Sequence, residues 1–401
     1  MRRLAAGLAV IAIVAAACAG DGGPILANPS RPDPSIGPGA TPAPPPEDPQ
    51  PIVLPRDDGP HDRLTEWWYI TGHLAGQLAD RPGEHRFGFE YVIFRAERGT
   101  FPTSWASHLA ITDETGDAFH YAQRLEVGPQ VDGSPRDADG IPTGFDLDIS
   151  GIDPTDPATF GQQPWTMAGD ADLLDLAAHA SAGEAGAGGV ERLGLELSGS
   201  PTKPPVLHDE DGWIDFGPAG GSYYYSRTEI GVGGQVSLGP DTFPVDGTAW
   251  FDHQWGDFIS VGGGGWDWFA VNLADGTDLT LSLVRDADGS YPLIYGTLVD
   301  PVGSTRHLDR DAFTVEVTDR WVSPTTGADY PAAWTVSIPT EGLVIDLRPT
   351  VADQELDTRA TTGVIYWEGS QVVEATRHGR PLRGEAYVEL TGYAPSGAAA
   401  P

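Results

Sequence analysis

Short segments in which apolar and polar residues alternate dominate the chain from about residue 60 onward. Gly, Pro, Asp or Asn residues separate them, which is typical of half-buried strands joined by turns. The clearest segments are EWWYITGHL (66–74), FGFEYVIFR (87–95), GSYYYSRTEI (221–230), DLTLSLVRD (278–286) and EAYVELTGY (385–393). Only ADLLDLAAHA (171–180) has a helix-like composition. Because strands follow one another without intervening helices, the pattern predicts an all-β protein with few helices, built from antiparallel sandwiches or barrels.

A domain boundary is expected near the glycine run Gly262–Gly265, after which the density of predicted strands increases again. The chain has 401 residues, which is long enough for two domains. We place the boundary between about residues 245 and 265, with one domain at 56–250 and the other at 251–395. A ligand pocket is expected at this junction, since pockets commonly form between domains.

The first 55 residues lack the strand pattern. Residues 1–17 join the positive start MRR to an apolar run that is too short for an ordinary spanning helix, as in a signal peptide. Small residues then precede Cys18, the only cysteine, which resembles a bacterial lipobox; the alternative is an ordinary signal peptide cut near Ala17. Residues 18–55 predict an extended tether rich in Pro and Gly. We expect an exported protein, lipid-anchored through Cys18 to the outer face of the bacterial cell membrane, or else secreted.

The chain is strongly acidic, with 58 Asp and Glu against 23 Lys and Arg. This balance argues against nucleic acid as a partner, because binding it requires a basic face. It also opposes contact with anionic lipid head groups, so the membrane is expected as a partner only through the N-terminal lipid anchor. High net negative charge favours a monomer.

The most aromatic stretch, WFDHQWGDF (250–258), contains an acid and an imidazole between tryptophans. On a regular strand Asp252 shares one face with Trp250, and His253 shares the opposite face with Trp255. Apolar surroundings move the pKa of a carboxyl or imidazole toward neutral pH, which suits general acid catalysis. The alternative is a structural acid that accepts hydrogen bonds from a tryptophan N–H or from backbone amides.

A second acid lies among aromatic rings in TEWWYITG (65–72). On a strand Glu66 and Trp68 face one side, and Trp67 and Tyr69 face the other. One reading places a carboxylate inside an apolar cavity. The other reading makes the tryptophans barrel core and leaves Glu66 as a solvated strand end.

Two further strands carry candidate polar groups. In YYYSRTEI (223–230) Tyr225 and Arg227 share a face, and Arg227 is a candidate partner for a buried acid such as Glu66 or Asp252. A tyrosine ladder, however, packs more often than it reacts. His108 in SHLAITD is either a site residue or a histidine with a structural or exposed position.

Several chemical signatures are absent from the sequence. The ten histidines include no HExxH and no close pairing, and cysteine ligands are lacking, so no metal site is expected. There is no GxSxG nucleophile elbow, no phosphate-binding loop and no dinucleotide fingerprint. Local spacing therefore indicates no metal, no nucleotide and no serine nucleophile.

The ordered set of motifs across about residues 61–393 resembles a known family. The motifs are EWWYITGHL, FEYVIFRA, SHLAITD, SYYYSRTEI, GTAWFDHQWGDF, IYWEG and EAYVELTGY. The chain is similar to the lipocalin-like proteins related to carotenoid 1,2-hydratase, which include AttH-type proteins often labelled predicted secreted hydrolases. The resemblance implies two consecutive lipocalin-like antiparallel β-barrel domains. It also implies an apolar cavity near their junction for an isoprenoid, lipid or polyketide-like molecule.

The resemblance further implies acid-driven chemistry without a cofactor, as a hydratase, lyase or hydrolase. Asp252 would donate the proton, His253 or Glu66 would position water or tune the pKa of Asp252, and aromatic faces would stabilise a carbocation. The residues expected to contact the substrate are Trp67, Trp68, Tyr69, His108, Tyr225, Arg227, Trp250 and Trp255. The alternative function is a surface-tethered carrier that binds lipids without changing them.

Overall fold

The computed structural model describes residues 48–151, 162–181, 184, 190–258 and 263–394. The expected signal peptide, Cys18 and most of the expected tether lie outside the described residues. Within the described ranges, the helical segments are short 3-10 turns at Arg56–Asp58, Pro129–Val131, Gly217–Ala219, Arg310–Ala312 and Pro339–Glu341. No helix in these ranges is long and apolar enough to cross a membrane. The prediction of an all-β protein with few helices is confirmed.

Among the described residues, twelve strands form the first antiparallel sheet. Their bounds are β1 (Thr65–Gly76), β2 (His85–Ala96), β3 (Ser104–Asp113), β4 (Ala118–Val127), β5 (Phe145–Ile149), β6 (Trp165–Gly169), β7 (Leu174–Ser181), β8 (Arg192–Pro201), β9 (Val206–Leu207), β10 (Trp213–Asp215), β11 (Gly221–Leu238) and β12 (Asp241–Gly256). They lie in the order β4-β3-β2-β1-β12-β11-β8-β7-β6-β5, with β9 and β10 beside β11. Their inward faces bury a core of large aromatic and aliphatic side chains, among them Trp68, Tyr91, Trp165 and Phe251.

Ten described strands form the second antiparallel sheet. Their bounds are β13 (Gly263–Leu273), β14 (Asp278–Asp286), β15 (Leu293–Val299), β16 (Thr305–Asp309), β17 (Thr314–Val322), β18 (Asp329–Ile338), β19 (Leu343–Pro349), β20 (Glu355–Asp357), β21 (Ile365–Arg377) and β22 (Arg380–Thr391). They lie in the order β16-β15-β14-β13-β22-β21-β19-β18-β17, with β20 beside β21. Buried side chains of these strands form a separate core, which includes Phe269, Trp334 and Trp367.

The two sheets follow the same plan. In each, the first strand of the unit pairs with its last strand, β1 with β12 and β13 with β22. The chain thus forms two consecutive lipocalin-like β domains. The expected domain limit after residue 250 falls inside β12, which stays in the first sheet to its end at Gly256. The sheets divide between 256 and 263, inside the expected interval of 245 to 265.

The segment with a helix-like composition is largely strand β7. Its alternate residues Leu174, Leu176, Ala178 and Ala180 are buried in the first core, while the residues between them are more exposed. Burial of one face of a pleated strand therefore outweighs the helix propensity of alanine and leucine here.

An apolar cluster and a buried ion pair join the two sheets. The cluster combines residues of both sheets: Tyr69, Val92, Trp250, Trp268, Ala270 and Tyr387. Lys203, which follows β8, places its Nζ atom 2.6 Å from Asp278 Oδ2 of the second sheet. At Gly88 the backbones approach so closely that a Cβ atom would lie 2.6 Å from Ser370 Cβ. These contacts fix the central strands of the two sheets against each other.

Candidate active site

The central strands of the two sheets line a cavity of about 120 Å³, room for several water molecules. Its walls are mainly aromatic and include Trp67, Tyr69, Phe94, Tyr224, Trp266 and Trp268. Three acids also line it, namely Glu90, Asp252 and Glu389. Among the described residues of the lining, none is Lys, Arg or His. The cavity therefore surrounds carboxyl groups with apolar rings and supplies no side-chain cation to balance them.

In each sheet an acid on the last strand lies opposite an aromatic residue on the first strand. In the first sheet Asp252 of the last strand lies opposite Tyr69 of the first strand. In the second sheet Glu389 of the last strand lies opposite Trp268 of the first strand. Each of the two acids therefore lies beside an aromatic ring of the cavity.

Asp252 is buried and surrounded by hydrogen-bond donors. It accepts hydrogen bonds from Trp250 Nε1 at 2.7 Å, from the Tyr224 hydroxyl at 2.6 Å and from the Ser226 hydroxyl. The Tyr224 oxygen also accepts a hydrogen bond from Trp268 Nε1, at 3.0 Å. Burial raises the pKa of Asp252 to about 6, although these donors oppose the rise. An indole N–H can only donate, so this arrangement suits an ionised acceptor that orients the Tyr224 hydroxyl, the structural alternative that the sequence left open.

Three glutamates on neighbouring strands have raised pKa values. Burial raises the pKa of Glu389 to about 7, and it raises those of Glu90 and Glu368 well above the usual range. Tyr366 donates to Glu90 at 2.9 Å, and Tyr69 donates to Glu368 at 2.6 Å. The second carboxyl oxygens of Glu90 and Glu368 are buried and have no hydrogen-bond partner among the described residues. In these surroundings Glu90 and Glu368 keep their protons at neutral pH, while Glu389 is about half protonated there. Carboxyl groups of this kind can donate a proton.

Sequence reasoning missed these glutamates, although all three lie in motifs that carried the family resemblance. Glu90 stands in FEYVIFRA, Glu368 in IYWEG and Glu389 in EAYVELTGY. The available signal was an acid inside a strand whose neighbours are apolar or aromatic. That signal is the same one that drew attention to Asp252.

The opposite face of β1 and β12 carries a separate polar group inside the first sheet. Glu66 and His253 are fully buried, and His253 Nε2 lies 2.9 Å from Glu66 Oε1. His61 Nδ1 lies 2.7 Å from the same oxygen. Burial opposes ionisation of Glu66, but the two histidines lower its pKa to about 2. Donor atoms of all three residues lie within 4.8 Å of one another, so they are the described residues best placed to bind a metal ion.

Asp252 and His253 therefore face opposite sides of β12, as strand alternation predicted. The expectation that His253 or Glu66 positions water beside Asp252, or tunes its pKa, does not fit this geometry. His253 packs against Trp68 and Trp255 of the first core and contacts Glu66, whereas Asp252 lines the cavity between the sheets.

Arg227 pairs with neither of the acids that the sequence favoured. Its Nη2 atom lies 2.9 Å from Asp58 Oδ1, and the Tyr225 hydroxyl donates to the same oxygen. Trp68, Tyr225 and Trp255 belong to the core of the first sheet. The expected contact of these four residues with the cavity is therefore not found, because their strand positions face the other way.

Four other residues expected in the site lie at the cavity or next to it. Trp67 and Tyr69 line it, and Trp250 donates to Asp252. His108 stands behind the wall, where its Nδ1 atom lies 2.7 Å from the Tyr366 hydroxyl. Burial lowers the pKa of His108 to about 3, so its imidazole is neutral.

A family model and two solved structures match most of the chain, and one further relative matches part of it. A family model described as AttH-like covers residues 45–393. A crystal structure of a Nitrosomonas europaea protein described as AttH is 30% identical with a TM-score of 0.69, covering 86% of this chain and 98% of that one. Kievitone hydratase from Nectria haematococca shares the fold, with 14% identity, a TM-score of 0.58 and coverage of 86% and 94%. The dehydratase asqC of Emericella nidulans is 24% identical over 169 residues, which is 40% of this chain and 47% of that protein.

Proposed function

From the premise that the chain belongs to the AttH-like family, we propose that it is a hydratase or dehydratase for an apolar small molecule bound between its two sheets. The observation that carries the proposal is the aromatic cavity with three acids and no basic side chain among its described lining residues. A carboxyl whose pKa is raised to about neutral pH by such surroundings can act as a general acid. The similarity to a protein named a dehydratase supports the same reaction class.

Glu389 is the acid that this proposal favours. Its pKa of about 7 lets it carry a proton at neutral pH and still ionise during a reaction. It is partly exposed to the cavity, and the indole of Trp268 lies opposite it in the sheet. Asp252 serves better as a fixed negative charge across the cavity, because hydrogen-bond donors already surround it.

One carboxyl can complete the reaction in either direction. In dehydration Glu389 gives its proton to the hydroxyl of the substrate. The C–O bond then breaks with its electron pair on oxygen, water departs, and a carbocation remains on the substrate. The Glu389 carboxylate then takes a proton from the adjacent carbon, and that C–H electron pair forms the double bond. Hydration runs through the same steps in reverse, so no cofactor enters the balance.

The cavity wall would stabilise the carbocation in two ways. The faces of Trp67, Trp266 and Trp268 attract a cation through their ring electrons, and this attraction strengthens where water is excluded. The Asp252 carboxylate adds a fixed negative charge whose orientation is set before the reaction begins. Aromatic walls of this kind favour an isoprenoid, lipid or polyketide-like substrate over a charged metabolite.

The test is to incubate the purified protein with a total lipid and isoprenoid extract in ¹⁸O-labelled water. Mass spectrometry is applied to the small molecules free in solution and to those bound to the protein. We expect ¹⁸O in a hydroxyl group of one of them, because labelled water adds to the double bond in hydration and also in the reverse of dehydration. Glu389→Gln is expected to abolish labelling, whereas Glu374→Gln, an exposed acid on the neighbouring strand, is expected to retain it. A species that binds and is recovered unlabelled and unchanged would contradict catalysis and favour a carrier. Labelling that survives in Glu389→Gln would assign the proton transfer to another group.

A further inference from the structure

We propose that His61, Glu66 and His253 form a binding site for one divalent transition-metal ion inside the first sheet, apart from the cavity. The ligand atoms are His61 Nδ1, Glu66 Oε1 and His253 Nε2. Two imidazole nitrogens and one carboxylate oxygen form a donor set that Zn²⁺ and other first-row divalent ions accept. The proposal is independent of the hydratase reaction, since it concerns the opposite face of β1 and β12.

The three ligand atoms converge on one point. Glu66 Oε1 lies 2.7 Å from His61 Nδ1 and 2.9 Å from His253 Nε2. His253 on β12 lies opposite Trp68 on β1, so the two side chains point to the same face of the sheet. Glu66 is two residues before Trp68 on the same strand and therefore also points to this inward face. His61 comes from the segment just before β1. Three protein ligands leave a further coordination position for water or another small ligand.

Neighbouring side chains fix the orientation of both imidazoles. The Trp255 ring stacks on His61 with a centroid distance of 4.0 Å and an interplanar angle of 2°. Trp68 stacks on His253 at 4.6 Å. Arg95 donates a hydrogen bond to the backbone oxygen of His61 and so positions the segment that carries it. Ligands whose rotamers are locked by packing remain converged without the ion, as a metal site requires.

Two buried polar atoms in the interior of the first sheet have no hydrogen-bond partner among the described residues. Next to the Glu66 carboxylate, His253 Nε2 must carry the proton of the neutral ring, which leaves Nδ1 as an acceptor. His253 Nδ1 and Asp58 Oδ2 are both buried without a hydrogen-bond partner among the described residues. A metal ion on Nε2 would move the proton to Nδ1 and make that nitrogen a donor. Metal-bound histidines almost always use their other N–H as a hydrogen-bond donor.

The outer ring nitrogen of His61 has a carboxylate nearby. His61 Nε2, the nitrogen that does not face Glu66, lies 3.5 Å from Asp57 Oδ1. The side chain of His61 is 20% exposed and lines an open pocket of about 490 Å³ together with Asp57 and Trp255. An ion can therefore reach the site from this pocket without passing through the cavity between the sheets.

Titration calorimetry of the chelator-treated full chain with ZnCl₂, MnCl₂ or CoCl₂ tests the proposal. We expect one saturable site per chain, and for Co²⁺ the visible absorption of a low-coordinate nitrogen and oxygen site. His61→Ala is expected to weaken binding at least about tenfold, since loss of a ligand costs no less than loss of its hydrogen-bond partner. His85→Ala is the matched control, because His85 also pairs with a carboxylate, that of Asp113, at 2.6 Å. It is expected to bind as the wild type does.

Two results would overturn the proposal. One is an absence of saturable binding to the wild-type chain, and the other is equal affinity in His61→Ala and the wild type. Circular dichroism of each variant before titration establishes that it is folded, and His61→Asn replaces His61→Ala if the alanine variant is not. Glu389→Gln is expected to bind the metal normally, so failure of the hydratase proposal would not change this result.

Discussion

Replacing Glu389 with glutamine tests whether the cavity contains a neutral carboxyl, without knowledge of the substrate. Burial raises the pKa of this side chain from 4.5 to about 7. Between these two values the unfolded chain loses the proton of Glu389, while the folded protein keeps it. The unfolded state then binds fewer protons, so the wild-type protein loses stability as the pH rises through this window. At about 1.4 kcal/mol for each pKa unit, the loss amounts to roughly 3 kcal/mol.

The glutamine side chain has nearly the same shape and is neutral at every pH. Near pH 4.5 the free energies of unfolding of Glu389→Gln and the wild type are therefore expected to be similar. Above the folded pKa of about 7 the variant is expected to be more stable by roughly 3 kcal/mol. Urea denaturation followed by tryptophan fluorescence, repeated across this range, measures the difference. Subtracting the two curves cancels the contributions of acids that do not interact with Glu389, and Glu374→Gln, at an exposed position, is the matched control.

If the difference in free energy of unfolding between Glu389→Gln and the wild type does not change with pH, the reasoning is refuted. Such a result would mean that Glu389 ionises equally in the folded and unfolded states, and the proposed mechanism would lose its proton donor. A difference of the opposite sign would show that an unrecognised cation stabilises the Glu389 carboxylate.

Two further substitutions test the buried polar groups that join the sheets. Asp252→Asn is expected to lower the free energy of unfolding by about 2–3 kcal/mol, because Trp250 and Tyr224 lose a charged acceptor; an unchanged urea midpoint would contradict the structural role of Asp252. Lys203→Met is expected to cost about 3–5 kcal/mol, since it leaves the Asp278 carboxylate buried without its cation. The same denaturation experiment measures this loss, and a value below about 1 kcal/mol would mean that the pair behaves as an exposed one.

Strand alternation was sufficient to predict which way single residues face. It placed Asp252 and His253 on opposite sides of β12, one toward the cavity and the other toward the core. Alternation is local, so it carries no information about which strands of two different sheets meet. Glu90 and Tyr366 are 276 residues apart and contact each other only because the sheets pack together.

The same limit applies to the histidine and glutamate group. Metal-site motifs are recognised by ligands that are close in sequence, whereas Glu66 and His253 are 187 residues apart. The pairing of β1 with β12 brings them together. The helix-like composition of segment 171–180 was misleading for a different reason. Its residues favour a helix, but their alternating burial in the first core requires a strand.

The pairing of first and last strands also determines when each domain can fold. In the first sheet β1 pairs with β12, which comes last in the sequence of that sheet. A growing chain therefore cannot form the β1–β12 hydrogen bonds until it has been synthesised through Gly256. The entropy of closing such long loops is lost before strand pairing stabilises the chain, so folding is slow. Until then, strands without a partner expose unpaired backbone N–H and C=O groups to other chains. A truncation before β12 removes the strand at the centre of the sheet and leaves β1 and β11 as two open edges. Fragments of this chain are therefore expected to aggregate where the complete sheet does not.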